Sequence, residues 1–374
     1  MPSIEYRLYF NDEPAGREQL DRIERITVEQ EVDVAWEARL EMPLCVDEQG
    51  NWQGENEDFM EDFSRVRVEV RIGENGYVPL IDGPVVGYDS TRSSEPGQSS
   101  ITLIVHDDSV HMNRQDRLER FDNLTDSEIA AQVFSEVEQI SETNIEDTPP
   151  PASDLPASVV QRGTAIQILR SLARRQGMHA YVLPGDEAGE SVGCFKALPA
   201  ERGDLPDMVL LGTERNIQEF NVSRDAQSPA RVQAFALNVA DKAVLTSSSS
   251  FRDLDLLGPE HSFTREEDTA EQVSTPQQGD AVDLDQRVRA ESSRSSYDLE
   301  ATGSLLSECY HGVLLPYQVL QVRGVNNSLS GDYVVFKATH TLSRSQYTQA
   351  FTVKRNAVSE GEGADSADLI GEIF

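Results

Sequence analysis

The chain has 374 residues, enough for about two or three domains that each bury a core. Its 66 acidic residues outnumber 32 Lys and Arg, giving a net charge of −34. That balance argues against a nucleic-acid binder, which must neutralise phosphates, and against an anionic membrane surface as partner.

Hydrophobic residues make up 38% of the chain. No run approaches the roughly 18 apolar residues of a membrane span. The first residues lack the basic and apolar regions of a signal peptide. Arg supplies nearly all the positive charge, since the only lysines are Lys196, Lys242, Lys337 and Lys354. A GC-rich genome, a salty habitat and an assembly with an acidic inner surface all fit that texture. Cys45, Cys194 and Cys309 are far apart and read as small buried apolar residues, with no disulfide framework or zinc site implied. They fit synthesis in a reducing cytoplasm.

Residues 1–118 read as β. Val32, Val34, Trp36, Ala38, Leu40 and Met42 alternate with polar residues, which predicts one half-buried strand. Arg65–Ile72 repeats the pattern and ends at Asn75-Gly76, a hairpin signal. Tyr77–Ile81 reads as a strand, Asp82-Gly83-Pro84 as a turn, and Val85–Tyr88 and Ile101–Val105 as further strands.

Residues 119–215 change period. Thr125 and Glu128 form a capping box, and Ile129, Val133, Phe134 and Val137 follow at helical spacing. After a proline-rich linker at 147–151, a second helix starts beyond Thr164. Its stripe is Ile166, Leu169, Leu172 and Ala173, and Gly177 ends it. Tyr181–Leu183 and Gly193–Phe195 read as short strands. This is a small α+β insert.

Residues 216–358 return to β. Phe220 and Val222 open a strand, Asp225–Pro229 is a turn, and Val232, Ala234, Ala236 and Asn238 continue. Residues 246–298 read as a long polar loop, functional or disordered. A short helix over Leu299–Tyr310 is expected next, then strands over 317–322, 332–338 and 347–353. Residues 359–374 form an acidic tail whose end carries Leu369, Ile370, Ile373 and Phe374. That quartet either folds back on its own domain or docks into a partner. The fold class is α+β, mostly β: two β domains flanking an α+β insert.

Catalytic and cofactor fingerprints are missing from the sequence. Gly-x-Ser-x-Gly, the phosphate-binding Gly-x-x-x-x-Gly-Lys and His-Glu-x-x-His do not occur. No cofactor or catalytic residue is assigned. His106 and His111 lie beside Asp107 and Asp108; the simplest reading is a surface loop at a strand end, with a metal site as the alternative. His340 reads as a hydrogen-bonded structural histidine.

Four segments resemble the baseplate hub family of contractile tails, which includes phage late control protein D, the Mu-like and T-even hubs and the hub module of VgrG spikes. The first runs from Val78 through Val86 to His106-Asp107-Asp108-Ser109, and the second is Thr125–Val133. The third is Gln161–Gly177, similar to the family's Gln, Ser-Asp, Leu-Ala and Gly pattern. The fourth is Ser330–His340 followed by Tyr347–Phe351. Thr164-Ala165 stands where the family has Ser-Asp, and Thr still caps.

The resemblance implies two related, tube-like β-barrel domains around the insert. It implies a homotrimer that adapts a hexameric tail tube to a trimeric spike and lines a central channel. Its partners would be the tail tube protein, a separate spike polypeptide and other baseplate proteins, with DNA or cargo passing through unbound. The particle would be assembled in the host cytoplasm, without membrane anchoring. Acidic side chains facing the channel would repel anionic cargo. The alternatives are a cell-wall-degrading tail enzyme and a monomeric β-rich receptor- or carbohydrate-binding protein.

Overall fold

The structure is a computed structural model. It describes residues 4–53, 57–150, 158–237, 242–250, 254–261, 270–274, 284–344 and 346–359.

Six strands come first: β1 (Ile4–Phe10), β2 (Arg25–Glu31), β3 (Glu37–Pro43), β4 (Arg65–Ile72), β5 (Val78–Thr91) and β6 (Ser100–His106). The strand expected over 32–42 is only β3, preceded by a turn. Asp33 has φ 63°, the left-handed region, and breaks the extended run. The alternation breaks with it: Val32 and Trp36 are buried, whereas Val34, expected on the same face, is 49% exposed.

β4 and β5 form the expected hairpin around Gly73–Gly76. The turn expected at Asp82–Pro84 does not form. β5 runs through it and changes partner there, pairing with β4 up to Pro84 and with β6 from Val85. Gly83 permits this, because a Cβ there would lie 1.9 Å from the His106 carbonyl oxygen. Leu8 and Val68 of the β1–β4 side share a core with Val28, Leu40 and Leu103 of the β2–β3–β6 side.

The middle segment holds α1 (Asp126–Ser135), β7 (Ile140–Ile145), α2 (Ala165–Gln176), β8 (His179–Pro184) and β9 (Ser191–Lys196). The capping box closes as expected. Thr125 Oγ1 accepts from the Glu128 N–H at 3.1 Å, and Glu128 Oε2 accepts from the Thr125 N–H at 2.8 Å. At α2, Gln167 Oε1 accepts from the Thr164 N–H at 3.2 Å. Gly177 ends α2 with φ 74°. Both helices pack their stripes on the sheet β7-β9-β8, where Phe134 and Leu169 meet Val182 and Phe195.

The main elements of the last segment are β10 (Ile217–Arg224), β11 (Pro229–Leu237), β12 (Val244–Ser250), β13 (Ala270–Ser274), α3 (Leu284–Ser295), β14 (Leu299–Leu305), β15 (Val319–Arg323), β16 (Gly331–Ser343), β17 (Tyr347–Arg355) and β18 (Ala357–Val358). Two expectations are corrected here. The described parts of 246–298 are mostly not loop: β12 and β13 pair with β11 and α3 packs on them, while 254–259 are irregular. Residues 299–305 are a strand, not a helix. Leu299, Ala301 and Leu305 are buried at a period of two, with Gly303 between them. That glycine is required, since a Cβ would sit 1.9 Å from the Glu219 carbonyl oxygen of β10.

Strands from both ends of the chain join one sheet, in the order β10-β14-β17-β16-β2-β3-β6-β5-β4-β1 and then Glu13–Pro14. The seam is β16 against β2, in register from Lys337 opposite Glu31 to Ser343 opposite Arg25. Among the described residues this mostly-β sheet stays open and forms no closed barrel.

Candidate functional site

The sheet buries one face and leaves most of the other bare, except near the start of β16, where Val334, opposite Lys354, packs with Leu257 and Val319. From β10 through β6 to the second half of β5, eight strands hold Val28, Leu40, Leu103, Ala338 and Val353 in the core. The intervening residues face outward, because neighbours along a strand alternate. Thr27, Thr341 and Thr348 stand opposite one another across three strands. Glu29, Thr339, Ala350, Ser304 and Glu219 make a second such row.

This face is polar but close to neutral. Glu29, Glu31, Glu37, Glu41, Asp89, Glu219 and Glu300 oppose Arg25, Arg39, Lys337 and Lys354, leaving −3 of the chain's −34. Lys337 Nζ bridges Glu29 and Glu31 at 3.1 and 3.2 Å. Arg39 reaches Glu37 at 2.7 Å and Asp89 at 3.3 Å, and Lys354 reaches Glu300 at 3.0 Å. His106, one of the candidate metal ligands, sits on this face with its Nε2 3.2 Å from Glu37. Cross-strand pairs of this kind hold a sheet in register.

The eight-stranded stretch ends in two open edges. β10 pairs only with β14, and Gly87–Thr91 of β5 pairs only with β6, among the described residues. Both edges carry an apolar side chain in water: Val222 is 36% exposed and Tyr88 60%.

A polar joint ties the middle segment to the β segments on either side of it. The Asp33 N–H donates to the Tyr317 hydroxyl oxygen at 2.9 Å, and His179 Nδ1 lies 2.8 Å from Asp33 Oδ1. Arg294 of α3 approaches Asp33 Oδ2 at 3.5 Å and donates to the Met178 carbonyl at 2.8 Å. Burial works to raise the Asp33 carboxyl, but the His179 hydrogen bond and the charges of His179 and Arg294 outweigh it and hold the group below its usual range. Burial pushes the Tyr317 phenol far up, so it stays protonated. The joint borders a cleft of about 500 Å³. Its groups are tied to one another, which suits holding the segments together rather than activating a nucleophile.

His340 is the structural histidine expected. It is fully buried at the β16–β2 seam, with Nδ1 2.8 Å from the Tyr347 hydroxyl and Nε2 3.1 Å from Gln30 Oε1. Burial lowers it to about 3.

Asp107 and Asp108 are not in a surface loop. They are 4% and 0% exposed. Asp107 Oδ2 accepts from the Trp36 N–H at 2.6 Å, and Asp108 takes both Arg65 Nη atoms at 3.0 and 2.7 Å and the Ser191 hydroxyl at 2.7 Å. Arg67 continues the cluster. It pairs with Glu69 and Asp82 and donates to the carbonyls of Gly185, Asp186 and Glu187. His111 Nε2 lies 3.5 Å from Asp108. No group of His, Cys, Asp and Glu among the described residues is placed to hold a metal ion. Cys194 is buried as expected, but Cys45 and Cys309 are exposed, Cys45 in a two-stranded hairpin with 52–53. Leu369, Ile370, Ile373 and Phe374 lie outside the described residues. No described helix is long and apolar enough to cross a membrane.

No family model matches the sequence, and no curated protein matches it. Solved structures do. The 43 kDa tail protein of prophage MuSo2 from Shewanella oneidensis is 13% identical with a TM-score of 0.66, covering 95% of this chain and 100% of that one. The tail protein from Neisseria meningitidis MC58 is 11% identical with a TM-score of 0.62, covering 98% and 99%. The E. coli c3393 protein is 9% identical with a TM-score of 0.54, covering 94% and 76%. It is described as a type VI secretion component similar in structure to the T4 tail proteins gp27 and gp5. At these identities the likeness is one of fold. Over most of its length the fold of this chain is that of phage tail proteins and their type VI counterparts, in agreement with the tail-hub resemblance of its sequence.

Proposed function

We propose that the chain is a structural subunit of a tail or injection-particle baseplate, a homotrimeric hub that adapts a hexameric tube to a trimeric spike. One observation carries the reading: a bare, polar, eight-stranded wall with an open edge at each end. The β16–β2 seam divides it into four strands from each β segment. Open edges recruit other strands, and only closure removes them. Three copies joined edge to edge would supply twenty-four strands, with six similar four-stranded faces toward the tube. In this reading the barrel closes between copies, and residues 1–118, 119–215 and 216–358 are the β, insert and β domains.

The wall suits passage without adhesion. It has neither a row of unpaired cations to hold phosphates nor an apolar stripe to hold protein. Its charge of −3 per chain also makes strong repulsion of anionic cargo an unsuitable account, so the chain's acidity serves other surfaces. Sedimentation of the purified protein tests the proposal: a trimer, with a ring seen by electron microscopy, is expected. A monomer at all concentrations would refute it and favour a β-rich receptor-binding protein. Release of fragments from peptidoglycan would favour the cell-wall enzyme.

A further inference from the structure

The small sheet β12-β11-β13 has two unlike faces. Val232 and Ala234 of β11 pack with Val288 of α3 on one of them. The opposite face carries Phe235, Val273 and Val244, which are 46%, 58% and 67% exposed. The registers place them together: Gln233, two residues from Phe235, stands opposite Val273, and Leu237 stands opposite Val244. Such a patch on so small a sheet marks a surface that something covers.

We propose that the C-terminal segment of the same chain covers it, through Leu369, Ile370, Ile373 and Phe374. The inference is independent of the hub reading. The tail leaves from Ser359, whose hydroxyl donates to the Ser330 carbonyl at 2.6 Å. The nine residues 360–368 span at most about 30 Å when extended. They contain nothing more apolar than alanine, so the quartet is the tail's only large hydrophobic group.

That reach is sufficient. Asn356, three residues before Ser359, donates to the Ser296 hydroxyl at 3.4 Å, next to the end of α3. Helix α3 brings Val288, which packs on β11, within eight residues, or about 12 Å, of Ser296. It lies against β11 and β12, so it carries the distance from the tail's origin to the small sheet. Passing from the helix-covered face to the bare one adds about one sheet-to-sheet spacing, near 10 Å.

Amide hydrogen exchange tests the inference, on the full chain and on a chain ending at Glu362. Removing the tail is expected to raise exchange in peptides covering 231–237, 244–250 and 270–274 about tenfold, and to leave β4 and β6 unchanged. A synthetic peptide of residues 363–374 added to the shortened chain should restore the protection. F374D in the full chain should reproduce its loss. Equal exchange with and without the tail overturns the proposal. Protection that rises with protein concentration in the shortened chain also overturns it and makes a second copy the occupant.

Discussion

Asp33 and Tyr317 hold each other across 284 positions of sequence, and both do so from left-handed backbone, with φ 63° in each case. A non-glycine residue in that region costs of order 1 kcal/mol. The surroundings must repay it, and they do: Tyr317 stacks on Tyr181 with centroids 3.6 Å apart and planes within 4°. The contact joins the β2–β3 turn, the insert and the last β segment at one point. Tyr317→Phe keeps the stack and leaves the Asp33 N–H without its acceptor. It should cost about 1–2 kcal/mol in urea denaturation. Tyr317→Ala removes the stack as well and should cost about 3–5 kcal/mol. Equal stability of the Phe variant and the wild type would show that the hydroxyl holds nothing.

The β16–β2 seam should weaken in acid. Burial lowers His340 to about 3, below its ordinary value near 6.5. Between those values the unfolded chain binds a proton that the folded chain refuses, so stability falls as pH falls through that window. His261, lowered to about 4 chiefly by burial, acts in the same direction. His340→Gln removes one of the two contributions. Its stability should be lower at pH 7 and fall less steeply between pH 6.5 and 4, measured by urea midpoints. A slope as steep as wild type would place the sensitivity elsewhere.

How far these relationships were legible depends on their reach along the chain. Helix α2 was legible because Thr164, the apolar stripe and Gly177 all act within a few turns. The strand Leu299–Leu305 was hard to read although its period of two is present, since Gly303 occupies the place of a buried side chain. The burial of Asp107 and Asp108 was not legible. Their partners, Trp36 and Arg65, lie 71 and 43 residues away, and acidic pairs are common in so acidic a chain. The bare wall was half legible. Alternating strands announced a polar face, but nothing local announced that β2 would meet β16 across some 300 residues.

The Arg67 cluster gives a test of how the insert is held. Arg67 is 2% exposed and serves Glu69, Asp82 and three carbonyls of the 185–187 loop at once. Arg67→Met fills much of the same space but leaves two buried carboxylates short of a cation. The expected cost is about 3–5 kcal/mol. The loop should also become a site of limited proteolysis near 185–190 while the β4–β5 hairpin stays resistant. Uniform sensitivity would mean that the arginine supports the whole fold rather than this attachment.

Lys337 tests the charge balance of the wall. It bridges Glu29 and Glu31 from the seam strand, and these hydrogen bonds, against the opposing effect of burial, raise its ammonium above the ordinary lysine value. Lys337→Glu places three carboxylates side by side across two strands. Each exposed bridge is worth about 0.2–1 kcal/mol, and like charges opposite each other cost a similar amount. The variant should therefore lose about 1–2 kcal/mol in low salt. Because the groups face water, 1 M salt, with a screening length of about 3 Å, should return most of that loss. Lys337→Met, which removes the cation without adding a charge, should fall between the two and depend less on salt. A loss that salt leaves untouched would trace to packing at the seam, and the near-neutral wall would then owe little to its paired charges.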